Sequence, residues 1–266
     1  LKGLKMSKSK AMTKSDYSLF DPNSGMEAAL RANVFADEGM TAADLLRVKI
    51  PSAGSTTWMV PDAMGKEKSQ ETIEGIFVYY GRGGVVWPNS DPKPGTMPIL
   101  RTDDLQTAYQ VGEDWGDLDR KAIEKYKGED GLYNWQGLVG QNGPIGWGTG
   151  RNGSGRRGKE YRILCVLPKD SMFPYFIRAQ PGSLKTVVPF VKRITILGVP
   201  YYQTIISLGL QKVASKAGMD YSQIVPTVVS QISSERAAKI KELFTDPFSA
   251  SINNVDMSMD EYDDEL

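Results

Sequence analysis

Thr72-Ile73-Glu74-Gly75-Ile76-Phe77-Val78-Tyr79-Tyr80 reads as a β-strand, dense in β-branched and aromatic residues, and it sets the chain among β-rich proteins. It runs into Gly81-Arg82-Gly83-Gly84, where a break is expected, and Val85-Val86-Trp87 resumes before Pro88. Successive side chains on a strand leave opposite faces. Phe77 and Tyr79 are therefore expected on one face, and Ile76, Val78 and Tyr80 on the other.

Downstream, residues 88–98 hold four prolines and read as loop. Asp117 to Lys127 has the pattern of a short amphipathic helix stopped at Gly128. Residues 128–158 combine many glycines with Tyr133, Trp135, Trp147 and three arginines, and keep neither strand nor helix period, so one long Gly-rich loop is expected. Strands are expected over Glu160–Leu167 and Phe173–Ala179. A helix follows between Pro181-Gly182-Ser183 and Gly198, with Leu184, Val187, Val188, Val191 and Ile194 on one face. Tyr201–Val213 and Tyr221–Ser230 read as two long strands, and Ser233 caps a last helix reaching about Phe244.

Upstream, Asp44–Ile50 reads as a strand closed by Pro51. Ser24-Gly25-Met26-Glu27 is a capping box, which predicts a short helix near 25–35. The expected architecture is α+β and mainly β: an antiparallel, oligonucleotide-binding-type barrel of five strands with two or three attached helices. Its expected organisation is a flexible basic arm over 1–23, one β-rich domain over 24–245 and a disordered acidic tail over 246–266.

Composition narrows the chemistry. The chain has 266 residues, no histidine and one cysteine. The commonest general base and metal ligand are thus missing, and a single cysteine builds neither a disulfide within the chain nor a structural zinc site. Neither a cofactor nor a metal is expected, and the chain reads as a binding protein rather than an enzyme. There is no apolar run long enough to span a membrane, and none ahead of a small-residue cleavage site, so a cytoplasmic location is expected.

Thirty-two basic residues balance thirty-two acidic ones, but the signs are segregated. Asp256, Asp260, Glu261, Asp263, Asp264 and Glu265 crowd the last eleven residues, whereas Lys2, Lys5, Lys8, Lys10 and Lys14 precede the first acid, Asp16. Arg151, Arg156, Arg157, Lys159 and Arg162 form a third cluster, interrupted by Glu160. An acidic tail on a body with basic patches can imitate nucleic acid in a cationic groove and recruit partners when displaced. Asp260, Glu261, Asp263, Asp264, Glu265 and Leu266 are the candidate partner-binding residues.

Two phosphate-loop patterns are coincidental. Gly148-Thr149-Gly150-Arg151-Asn152-Gly153 matches the dinucleotide fingerprint, and Gly153–Lys159 resembles a triphosphate loop, but neither sits between a strand and a helix N-terminus. The same segment suits grasping a single strand. Glycines admit the backbone close to phosphates, arginines neutralise them, and tryptophans offer stacking faces worth about 1–3 kcal/mol per base. The candidate nucleic-acid-binding residues are Tyr79, Arg82, Trp87, Trp135, Trp147, Arg151, Arg156, Arg157, Lys159, Tyr161, Arg162 and Arg178. The acid pairs Asp103-Asp104 and Glu113-Asp114 read as solvated loop acids, and Cys165 as a buried small hydrophobe.

Trp147-Gly148 in the Gly-rich loop, Gly158-Lys159, a strand ending in Leu167-Pro168, Pro181-Gly182-Ser183-Leu184 opening a helix, and Gly198-Val199-Pro200-Tyr201-Tyr202 follow one another in this order. The order resembles replication-type single-stranded DNA-binding proteins of bacteriophages and mobile elements, over roughly residues 70–230. Many of these carry a cysteine-bearing, zinc-binding insertion near the loop. This chain has no cysteine before Cys165, so that feature does not carry over. The resemblance implies an oligonucleotide-binding fold that coats single-stranded DNA in replication and recombination, with the tail recruiting the enzymes of those processes. RNA as ligand and a homo-oligomeric state stay open. A phage structural or assembly protein is the second expectation, and a carboxylate-dependent nuclease the third.

Overall fold

The structure is a computed structural model that describes residues 45–251, except 63–65, 94, 154, 170 and 216–217. The basic arm over 1–23, the helix near 25–35 and the acidic residues from Asp256 to Leu266 lie outside the described residues. Among those described, no helix is long and apolar enough to cross a membrane.

The strands are β1 (Leu46–Val48), β2 (Trp58–Pro61), β3 (Glu67–Gln70), β4 (Thr72–Val86), β5 (Leu100–Thr102), β6 (Thr107–Gln110), β7 (Tyr133–Asn134), β8 (Gly158–Pro168), β9 (Tyr175–Ala179), β10 (Thr204–Ala214) and β11 (Asp220–Gln231). The helices are α1 (Arg120–Glu124), α2 (Trp135–Val139), α3 (Pro181–Ile196), α4 (Ser234–Ile240) and α5 (Asp246–Ser251), with a π-helical turn, Lys241–Thr245, joining the last two. The protein is thus mainly β with a few helices attached. Nine strands form one mixed sheet, and β2 and β3 form a small second one. Among the described strands the large sheet does not close into a barrel. Its one parallel contact is β1 with β9.

The organiser is β4, which runs unbroken through the glycines where a break was expected. Along one side it pairs with β8 over nearly its whole length. On the other side it forks: Thr72–Ile76 pairs with β10, and Gly84–Val86 with β5. The glycines make room rather than a turn. A Cβ on Gly83 would stand 2.4 Å from the Tyr161 hydroxyl, and one on Gly84 2.4 Å from the Trp135 ring. An aromatic side chain lies flat on each face of the strand at these positions.

A register shift between Phe77 and Tyr79 makes Val78 an extra residue, a β-bulge. It overturns the expected alternation. Ile76, Val78 and Tyr79 join one core, while Phe77 and Tyr80 share the other face. The Val78 carbonyl accepts a 2.6 Å hydrogen bond from Thr245 Oγ1 in the π-turn, so the irregular strand is closed by an irregular helix.

Three apolar cores follow from this layout. Val187, Phe190 and Ile194 of α3 bury one face of the sheet. Ile240, Leu243, Phe244 and Phe248 of the C-terminal helices bury the other, so ordered structure continues to Ser251, six residues into the stretch assigned to the tail. The third core, around Trp115, Tyr133, Trp135, Leu138 and Ile145, holds β5–β7, α1 and α2. It overturns the expectation of an irregular 128–158 loop. Asn134 caps α2 by accepting from the Gly137 amide at 2.9 Å, and two short strand and helix elements fold there around buried rings.

Among the described strands β11 pairs only with β10, and α3 guards its outer side. Ser183 Oγ accepts from the Ile224 amide at 3.0 Å, and Thr186 Oγ1 donates to the Ile224 carbonyl at 2.6 Å.

Candidate nucleic-acid interface

Tyr80 and Arg82, two residues apart on β4, leave it on the same side, and the bulge at Val78 brings Phe77 to that side as well. Arg82 is the direct cross-strand partner of Arg162, and Gly84 is the partner of Glu160. Two arginines therefore stand opposite each other across one antiparallel pair, an arrangement that like-charge repulsion disfavours. Arg82 is exposed and Arg162 half-buried. Arg162 donates to the Tyr161 carbonyl at 2.7 Å and approaches Glu160 at 3.9 Å. Burial pushes the Tyr80 phenol above its ordinary value, against the opposing pull of the Arg162 hydrogen bond and the Arg82 charge.

Glu160 also pairs with Arg156 at 3.5 Å. The Arg156 guanidinium stacks on the Trp147 ring, 5.5 Å from its centroid, and a β-bridge joins the two residues. The Trp147 ring is 65% exposed, whereas the other four tryptophans are at most 8% exposed. Trp147, Arg156, Arg162, Arg82 and Tyr80 thus form one strip of rings and cations with Glu160 at its middle. The bridge and the single 3-10 turn Arg151–Gly153 lead into β8, so neither glycine motif opens an α-helix at this place.

The remaining candidates are dispersed. Trp87 is buried beneath the C-terminal helices, and Trp135 at 0% exposure fills the third core. Neither ring is available for stacking, and Trp135 occupies the space left open by Gly84 and Gly158. Arg157 is 8% exposed and serves as a staple. It donates to the Pro88 carbonyl at 2.6 Å and pairs with Asp117, whose carboxyl is held below its ordinary value chiefly by that hydrogen bond. Arg151 pairs with Asp91 at 3.2 Å on the surface. Lys159 is half-buried, and desolvation first, then the Arg157 charge, lowers the pKa of its amine.

Tyr79, Tyr161 and Arg178 gather on the opposite face of the sheet. Tyr161 is 1% exposed, with its phenol pushed by burial to about 12, and the Arg178 guanidinium lies 5.2 Å from its ring centroid. Arg101 and Tyr109, which sequence reasoning passed over, and Asp103, read there as a solvated loop acid, complete this group. Arg101 Nε donates to Asp103 Oδ1 at 2.9 Å, the Tyr109 hydroxyl donates to Asp103 Oδ2 at 2.7 Å, and Arg101 also hydrogen-bonds Tyr161. Asp103 is therefore ion-paired rather than solvated. Asp104 accepts from the amides of Gln106 and Thr107 at 2.7 and 2.9 Å and shapes the β5–β6 turn. The available signal was Arg101-x-Asp103, two residues apart and so on one side of a strand end.

Cys165 is fully buried, as expected, and its thiol is driven far above its ordinary value by desolvation. Among the described residues no group of three or more Cys, Asp or Glu side chains converges as metal ligands. The chain matches no protein-family model, no curated protein and no solved structure.

Proposed function

We propose that the chain is a non-catalytic single-stranded nucleic-acid-binding protein of the phage replication type. The observation that carries this reading is the Arg82–Arg162 pair beside the exposed Trp147. The strip sets Arg82, Arg156 and Arg162 against Glu160, an excess of positive charge that suits an anionic ligand, and an exposed indole stacked on Arg156 offers a flat surface to a base. Phosphates would lie along Arg82, Arg162 and Arg156, while a base stacks on Trp147 with little sequence preference. Neither contact reports the sugar, so RNA is a ligand on the same terms as DNA. A long bulged strand shared by β8, β10 and β5 supports an oligonucleotide-binding-type relationship for the sheet. By charge, the acids of 256–266 compete for the same strip, and on displacement they recruit replication or recombination proteins.

The test is a titration of the full chain with oligo-dT, following tryptophan emission at two ionic strengths. Quenching that weakens steeply with salt is expected, with duplex DNA binding less tightly. Absence of any quenching at low salt overturns the reading. Removal of residues 256–266 should tighten binding. Val228 and Val229, 45% and 40% exposed on β11, favour a second reading as an assembly protein, in which the chain self-associates and binds no oligonucleotide.

A further inference from the structure

Glu160 stands at the middle of the strip formed by Trp147, Arg156, Arg162, Arg82 and Tyr80. An acid in that place does not serve phosphate binding, because a carboxylate repels the ligand where the cations gather. Its contacts leave it open to a further partner. The carboxylate lies 3.5 Å from Arg156 and 3.9 Å from Arg162. A charge-assisted arginine–carboxylate hydrogen bond closes to about 2.8 Å. Both oxygens therefore keep lone pairs for another donor. The side chain is 23% exposed, so the group is half-buried yet within reach of a ligand.

The surroundings of Glu160 limit what that donor can be. Across the strand pair stands Gly84, and the Trp135 ring occupies the space a Cβ there would need. Along β8, Arg162 is the next residue on the same side. Its Nη1 donates to the Tyr161 carbonyl, and Nη2 is the atom 3.9 Å from the carboxylate. A flat group entering above Glu160 thus meets two acceptor oxygens with a guanidinium donor at their flank. Arg156 links this place to the exposed ring, 5.5 Å from the Trp147 centroid and 3.5 Å from the carboxylate. A base stacked on Trp147 and a base lying at Glu160 are then adjacent nucleotides of one strand, with phosphates passing at the arginines on either side.

We infer that Glu160 selects guanine at the nucleotide next to the one stacked on Trp147. The Watson–Crick edge of guanine presents, in order, the O6 acceptor, the N1–H donor and the N2 amino donor. The strip offers the complement: N1–H and N2–H donate to the two Glu160 oxygens, and Arg162 Nη2 donates to O6. Thymine sets a carbonyl oxygen on each side of its N3–H, which the carboxylate repels. Adenine and cytosine bring one amino group beside a ring-nitrogen acceptor, so each fills one oxygen and opposes the other. Guanine selection rests on the single-strand reading above and deepens it: stacking on Trp147 stays indifferent to sequence, and choice enters one nucleotide on.

The experiment follows the anisotropy of labelled dT oligonucleotides carrying isolated dG, dI, dA or dC residues, beside all-dT, with the full-length wild type, Glu160→Gln and Trp147→Ala. Inosine lacks the N2 amino group and so removes one of the two donors. The wild type is expected to bind the dG oligonucleotide about fivefold more tightly than all-dT, at the low end for a bidentate pair because the site is open to water. The dI oligonucleotide falls between them. Glu160→Gln, which keeps the side-chain shape, should bind all five alike and all-dT more tightly than the wild type does, since a repelling charge is gone. Trp147→Ala weakens every oligonucleotide and keeps the dG preference. A wild type that prefers dA or dC, or a dG preference that survives in Glu160→Gln, overturns the selection. Equal wild-type binding of all five overturns it too and leaves the single-strand reading standing. A wild type that binds no oligonucleotide overturns both.

Discussion

Arg156 and Arg157 are neighbours in sequence with opposite duties. Arg156 stacks on an exposed ring, and its loss removes a surface contact. Arg157→Ala removes the buried guanidinium that donates to the Pro88 carbonyl and pairs with Asp117, leaving the Asp117 amide as the remaining donor to that carbonyl. It should destabilise the protein by about 2–3 kcal/mol in urea unfolding, a figure kept low because Asp117 is half in solvent. Arg156→Ala should leave unfolding unchanged within about 0.5 kcal/mol and lower oligonucleotide affinity with a flatter salt slope. The pair also gives a pH signature. Asp117 has its pKa lowered in the folded state from an ordinary 3.8, so its contribution is present above that value and is lost as pH falls below it. An Asp117→Asn variant should be less stable near neutrality and show a smaller further loss through the acid range, read as the midpoint of thermal unfolding against pH.

The strand β4 shows how far local pattern carries and where it stops. The apolar run 72–80 was legible as a strand, as were β8, β9, β10, β11 and α3, because each keeps its period over many residues. Two features were not. A glycine that breaks a strand and a glycine that accommodates a ring from a distant segment look identical in sequence; Tyr161 and Trp135 stand at positions 161 and 135, far along the chain from Gly83 and Gly84. The bulge at Val78 likewise depends on a partner, Thr245, that no local rule names. For that reason Tyr80 was missed and Tyr79 was put on the wrong face. At the candidate site, charge clustering found Arg156 and Arg162, but it could not separate exposed Trp147 from buried Trp87 and Trp135. Gly84→Ala should cost about 1–3 kcal/mol in thermal or urea unfolding by driving Trp135 from its place. Thr245→Val should cost about 1–3 kcal/mol by stranding the buried Val78 carbonyl, whereas Thr245→Ser should restore most of the loss.

Across the molecule, the tryptophans divide into four buried rings and one exposed one. Collisional quenching by iodide should therefore reach Trp147 almost alone, and Trp147→Phe should abolish most of it while leaving the blue-shifted emission. Bound oligo-dT should protect the wild type from iodide. The guard on β11 has a consequence for assembly. An extended neighbour can lengthen a sheet only where amides and carbonyls are on offer, and at Ile224 both are already engaged by hydroxyls of α3. Ser183 and Thr186 thereby close this edge to an added strand at Ile224. Replacing Ser183 and Thr186 together by alanine and valine should turn a well-behaved solution into one that grows ordered aggregates over hours, visible as a rise in thioflavin fluorescence.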